Sequence, residues 1–258
     1  MLPFIYDNSV FTGLGNCAAD LTAYNILRAR LLPSFALDIS NNEGCGWTHA
    51  ELHSYLVDGI TVGGHTIKDE DVVRNVKFCW EGIGVSSAEC SDDILCYHYI
   101  CMLHSALTKG LLPQNNLGVF RNTNVIISGT DCWECIPPEF LRETFSDEIT
   151  VIRSIGNPIE QAVVAQLWLS YRQFFADGNK RVSRMLTNAL LHSKALGVFA
   201  VPSRGHVEFT QLLCEFYDTA NATKLCEFIV KHCLHLFDLD GKYIPPQVVA
   251  AVKRMRLE

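Results

Sequence analysis

The chain has 258 residues, 48% of them apolar, a net charge of −7 and eleven cysteines. That apolar content is enough for one sizeable core, and the acidic balance argues against a general affinity for nucleic acid or anionic membranes. An odd number of irregularly spaced cysteines argues against a disulfide framework and for reduced thiols in a cytoplasmic protein; no apolar run is long enough to span a bilayer, and Met1-Leu2-Pro3 lacks the basic start of a secretory signal.

Helical periodicity dominates from a turn-rich start at residues 1–15 onward. Ile39-Ser40-Asn41-Asn42-Glu43-Gly44 precedes the helix-forming stretch Trp47 to Leu52. Glu43, read by itself, is a surface turn acid. Val125-Ile126-Ile127-Ser128-Gly129 alternates β-branched residues and ends in glycine, which predicts one arm of a short β-hairpin. Cys132-Trp133-Glu134-Cys135 is a lone CxxC, lacking the second pair that a zinc site needs and the βαβ setting of a redox site. Pro137-Pro138 closes this region.

Ile159 to Tyr171 predicts a buried helix, with Ala162, Val163, Leu167 and Trp168 at helical spacing, and Val182, Met185, Leu186, Ala189 and Leu190 predict the next. Gly178-Asn179 breaks the two apart. The junction, Phe174 to Arg184, places an acid, a Gly-Asn turn and two arginines at a helix start, where unpaired N–H groups and the helix dipole suit an anion. Asp177 is placed to hold a magnesium ion, and Arg181 and Arg184, three apart, share one side of a turn and can grip phosphate oxygens. The competing reading is a helix-turn-helix connection with a solvated basic face. Further on, Phe216 to Leu225 predicts late core helices with an Asp or Asn cap. Cys226, His232, Cys233 and His235 read as buried thiols and surface histidines, and the tail from 238 to 258, ending in Lys253-Arg254-Met255-Arg256, as a solvated terminal helix.

Phe175-Ala176-Asp177-Gly178-Asn179-Lys180-Arg181-Val182-Ser183-Arg184 resembles the signature of the Fic family, His-x-Phe-x-Asp/Glu-Gly-Asn-Gly/Lys-Arg-x-x-Arg, in every element but the first. The resemblance spans about residues 30 to 235. It implies a mainly α fold, a Fic-type helical core with a short β-hairpin flap over a nucleotide site. The expected organisation is one domain over 1–258: a helical N-terminal arm (1–90), a core (91–237) and a tail (238–258). By resemblance, the cofactors are ATP and Mg²⁺, with Asp177 the metal ligand. Gly178, Asn179 and Lys180 cradle the phosphates, Arg181 and Arg184 clamp the triphosphate end, and Phe175 is a buried anchor. Val125, Ile126 and Ile127 form the flap that aligns a protein target bearing a hydroxyl side chain. Residues 39–44 resemble the family's inhibitory segment, in which Glu43 would salt-bridge Arg184; Ile39 stands where the family has Ser or Thr.

The departure is Gln173, at the position of the catalytic histidine. An amide has no useful basicity near neutral pH, and a positioned base contributes about 10²–10⁴ in rate. The sequence therefore predicts an ATP-binding protein whose AMP-transfer activity is lost or strongly weakened. Two alternatives stand beside it: an active transferase of AMP or another phosphate-containing group, and a non-catalytic interaction scaffold. Lys180 leaves the nucleotide's orientation open, as the resemblance leaves a homodimer and delivery into another cell's cytosol. His104 is expected to be a buried, hydrogen-bonded histidine rather than a substitute base.

Overall fold

The computed structural model describes residues 1–15, 19–89, 94–238 and 240–249, with 84–89 as helix backbone only. It is mainly helical, as the sequence predicts. The helices are α1 (Leu21–Asn42), α2 (His49–His53), α3 (Ile67–Glu89), α4 (Tyr97–Leu107), α5 (Leu141–Arg153), α6 (Pro158–Arg172), α7 (Asn179–Ser193), α8 (His206–Thr219) and α9 (Thr223–Phe228). Strands β1 (Gly197–Phe199), β2 (Leu234–Phe237) and β3 (Tyr243–Ile244) form an antiparallel sheet in that order.

Local chemistry accounts for the helix ends. The Asp20 carboxylate accepts from the N–H groups of Thr22 and Ala23 to start α1, and Thr48 and Glu51 form a reciprocal capping box on α2. Asn157 caps α6, with Pro158 at its first position, where a missing N–H removes no helical bond. At the other end of α6 the chain turns left-handed at Gln173 (φ 49°), and Gly178 (φ 79°) turns it again into α7. A Cβ on Gly178 would lie 2.7 Å from Thr108 Cγ2, so both its φ and its space require glycine.

Helix α7 runs through the middle, packed against α6, α3, α4 and β1. Val182, Met185, Leu186, Ala189 and Leu191 are fully enclosed in the core. Glu148 of α5 accepts from Trp168 Nε1 at 2.7 Å and ion-pairs with Arg172. That fastens α5 to α6 beside the α6–α7 junction.

Three expectations change. Residues 125–127 belong to no strand and have no strand partner, and the strand content lies in β1–β3 instead. The physical reason is that flanking groups hold this segment by side chains: Arg121 binds the carbonyls of Thr123 and Ile136, and Asp218 takes the N–H groups of Asp131 and Cys132. The expected late cap is absent: the N-cap of α9 is Ala222, with no side-chain bond, Asn221 Oδ1 accepts from Thr223 N from one residue before it, and Asp218 serves the loop instead. His235 is half-buried rather than a surface residue, its Nδ1 2.7 Å from the Tyr243 hydroxyl. The nine described cysteines are free thiols. The basic run 253–256 lies outside the described residues. No helix among them is long and apolar enough to cross a membrane.

Candidate functional site

The α6–α7 junction is shaped by Asn179. Its Oδ1 accepts from Phe175 N at 2.9 Å, and its Nδ2 donates to Phe175 O and to Gln173 Oε1 at 2.8 and 2.9 Å. The loop is therefore closed on itself by one buried side chain. The sequence reading makes Asn179 a phosphate contact; here it fixes the curvature that presents the start of α7. The first helical bond of α7 runs from Val182 N to Gly178 O, so the N–H groups of Asn179, Lys180 and Arg181 have no acceptor within the helix.

That helix start opens into a cleft of about 340 Å³ lined by Asn42, Glu43, Val125, Ile126, Ile127, Ser128, Gln173, Ala176, Asp177, Gly178, Asn179 and Lys180. Residues 125–128 thus border the same cleft as the loop, without a strand partner. Ile127 points inward (8% exposed) and Ile126 is 90% exposed. Ser128 and Asn42 are cleft residues that sequence reasoning missed.

Gln173 lines the cleft with both ends of its amide engaged, Nε2 donating to Ser170 O at 2.6 Å and Oε1 accepting from Asn179. Its backbone carbonyl accepts from Arg121 Nε at 2.7 Å. Arg121, 4% exposed, is thus a brace that ties the base position to the flap's two ends.

His104 is fully buried beneath the loop, stacked on Phe175 at 3.9 Å between ring centres. Nδ1 accepts from Gly118 N at 2.9 Å, so Nε2 carries the proton and donates to Asp177 O at 3.0 Å. Burial pushes its pKa down to about 4. A neutral ring with both nitrogens engaged is the structural histidine predicted, and it has no lone pair left to act as a base.

The charged groups depart from the predicted pairing. Glu43, the residue that ends α1, lies with Oε1 2.9 Å from Arg181 Nε, not on Arg184. Arg181 also contacts Asp177 Oδ2 at 3.3 Å and the Leu107 carbonyl at 3.4 Å. Arg184 instead pairs with Asp38, Nη1 to Oδ2 at 3.0 Å, and its guanidinium lies 5.2 Å over the Phe209 ring. The two acids at the end of α1 thus face the two arginines of α7 in reversed order. Asp38 was the residue missed. A carboxylate between Leu37 and Ile39 in a buried run was the available signal, because such a charge requires a partner.

Neither arginine lines the cleft, and the cation that does is Lys180. Burial lowers its pKa, and Arg184 adds to that shift. Asp177, with 61% of its side chain exposed, fits a magnesium ion held by one carboxylate together with phosphate oxygens and water. No group of three or more His, Cys, Asp or Glu is placed to hold a metal among the described residues.

Residues 94–191 match the model of the Fic/DOC family. No curated protein matches the chain in sequence. Similar solved structures include a Fic domain containing signaling protein from Bacteroides thetaiotaomicron, 18% identical with a TM-score of 0.66, covering 93% of this chain and 90% of that one. A Fic family protein from Desulfovibrio desulfuricans is 16% identical with a TM-score of 0.62, covering 91% and 64%. Fic-1 from C. elegans is 18% identical with a TM-score of 0.61, covering 91% and 62%. The chain spans less than two thirds of the length of the last two chains. At these identities the likeness is one of fold.

Proposed function

Taking as premise that residues 94–191 carry a Fic/DOC domain, we propose that this chain is a nucleotide-binding protein whose transfer of AMP to a protein hydroxyl is lost or strongly weakened. The observation that carries the reading is Gln173. The loop, the helix start and Lys180 keep an anion site open to the cleft, while the position that should accept the hydroxyl's proton holds an amide with both ends already bonded. A general base contributes about 10²–10⁴ in rate, and His104 is in no state to replace it.

ATP with Mg²⁺ would enter against the start of α7, with Asp177 beside the metal and Val125 to Ile127 facing a protein partner. The flap backbone, unpaired with any strand, suits pairing with a strand of that partner. A cytoplasmic setting agrees with the free thiols. A second reading, a scaffold that binds partners and no nucleotide, is favoured by the engagement of both arginines with acids of α1.

Calorimetric titration of ATP and ADP, with and without Mg²⁺, separates the two. Saturable binding accompanied by a rise in melting temperature supports the nucleotide reading, because a ligand selective for the folded state stabilises it. No heat and no thermal shift at millimolar nucleotide would leave the scaffold.

A further inference from the structure

Between α1 and α3 lies a second groove of about 330 Å³, lined by Asn25, Arg28, Ala29, Leu32, Trp80 and Glu81. It shares no residue with the cleft at the α6–α7 junction. The half-buried Arg28 holds its guanidinium carbon 5.7 Å from the centre of the Trp80 ring, a contact that orients the cation. Trp80 is 3% exposed and forms a rigid wall.

The charge of Arg28 is not met from inside the protein. Its Nη2 is shut off from water and has no acceptor among the described residues, and Trp80 Nε1 and His192 Nδ1 are likewise without partners. Burial pushes the Arg28 pKa down, while Tyr24 and Glu81 counter it through charge and not through a hydrogen bond. The Tyr24 hydroxyl donates instead to the Gly197 carbonyl at 3.1 Å. Behind the groove, His192 is pushed down to about 4 by burial, and the Arg28 charge adds to the shift. A cation taken partly out of water needs an anion beside it, and the groove that Arg28 lines is the route by which one can arrive.

We infer that this groove is a binding site for a small organic monocarboxylate. A planar guanidinium matches the two oxygens of a carboxylate, and the Asn25 amide adds a further donor. Ala29, Leu32 and the Trp80 ring offer the apolar surface on which the body of the acid lies, in a groove of the size that small ligands occupy. Glu81 sets the limit on charge: its carboxylate on the same groove repels the second negative charge of a phosphate dianion.

The test follows the indole N–H signals of the four tryptophans by NMR, with the Trp80 signal identified by its loss in Trp80→Phe. Benzoate is the probe, benzamide its uncharged counterpart, and inorganic phosphate the anion without an apolar body. Benzoate should shift the Trp80 signal saturably, with a Kd of about 1 mM or tighter, and should raise the melting temperature. Benzamide and phosphate should bind at least tenfold more weakly, and Arg28→Gln, its folding checked by thermal melting, should weaken benzoate at least tenfold. No saturable shift by about 20 mM benzoate overturns the proposal. So does benzamide or phosphate binding as tightly as benzoate, or undiminished benzoate affinity in the folded variant. Comparison of the three probes in the wild type decides the matter even when the variant fails to fold, and no nucleotide enters the assay, so the outcome is independent of the nucleotide reading.

Discussion

Glu43 Oε1 and Arg181 Nε lie 2.9 Å apart, joining the end of α1 to the first turn of α7 at the edge of the cleft. The carboxylate, which lines the cleft, engages a buried cation of the first turn of α7 that does not line it. Replacing Glu43 by Gly should release Arg181 and tighten ADP or ATP binding about tenfold, ~1.4 kcal/mol, by calorimetry. Unchanged affinity would show that Arg181 is oriented by Asp177 and Leu107 alone.

The same pair should respond to pH. Burial raises the Glu43 pKa most strongly; Asp177 raises it further, while Arg181, Lys68 and Lys180 lower it without cancelling the rise. The folded carboxyl therefore keeps a proton at pH values where an unfolded one, near 4.3, has lost it. Acidification toward that raised pKa neutralises Glu43 and frees Arg181, so nucleotide affinity should rise as pH falls. Titrations of the wild type and Glu43→Gln across this range would separate the effect from protonation of the nucleotide: the rise should be missing from the variant.

Gln173 tests the chemical half of the proposed function. Histidine tolerates left-handed backbone better than most residues, and Gln173 has φ 49°, so Gln173→His should fold and place an imidazole at the cleft. Self-modification from labelled ATP should rise by about 10²–10⁴. A folded but inactive Gln173→His would mean that more than the base has been lost, with the sequestered Arg184 the first suspect.

What the sequence conveyed was local. The helix pair and the break at Gly178-Asn179 follow from periodicity and turn chemistry within one stretch of chain, the buried anchor Phe175 from the family resemblance, and the structure has them. That residues 125–127 lie by the loop was implied by the family resemblance, and they border its cleft, but unpaired. Alternating Val125 to Ile127 fits extended backbone, whereas a ladder also needs a partner, and here the Arg121 and Asp218 side chains hold its flanks instead. Likewise, spacing shows that Arg181 and Arg184 share a side of α7. Which acid each meets depends on where α1 ends and how it crosses, a tertiary fact set by residues about 140 positions away.

Arg121 illustrates such a brace. Its guanidinium donates to three backbone carbonyls from separate segments, those of Gln173, Thr123 and Ile136, at 2.7, 2.9 and 2.7 Å. Arg121→Ala should destabilise the fold by about 3 kcal/mol, since each abandoned buried acceptor costs about 1 kcal/mol or more. Arg121→Lys should recover less than half, because one ammonium lacks the fork that spans the three sites. Urea unfolding midpoints would show this; a loss under about 1 kcal/mol would mean that water replaces the guanidinium.

Acid should unfold the protein through three histidines. Burial pushes His104, His192 and His235 down to about 4 each, helped by Arg181, Arg28 and Arg30 respectively. Above about pH 6.5 all three are neutral in both states, and nothing is lost. As pH falls below that, the unfolded chain takes up protons that the folded one refuses, and stability declines until the folded rings titrate near 4. Near pH 5 the three together give a slope approaching about 4 kcal/mol per pH unit. Glu43 works in the opposite sense, since its raised pKa lets the folded state keep a proton, but one carboxyl offsets only part of three imidazoles. Melting temperature should therefore fall steeply from pH 6.5 toward 4.5. His235→Gln, which keeps a polar group facing the Tyr243 hydroxyl, should remove about one proton from the slope; an unchanged slope would place the acid sensitivity elsewhere.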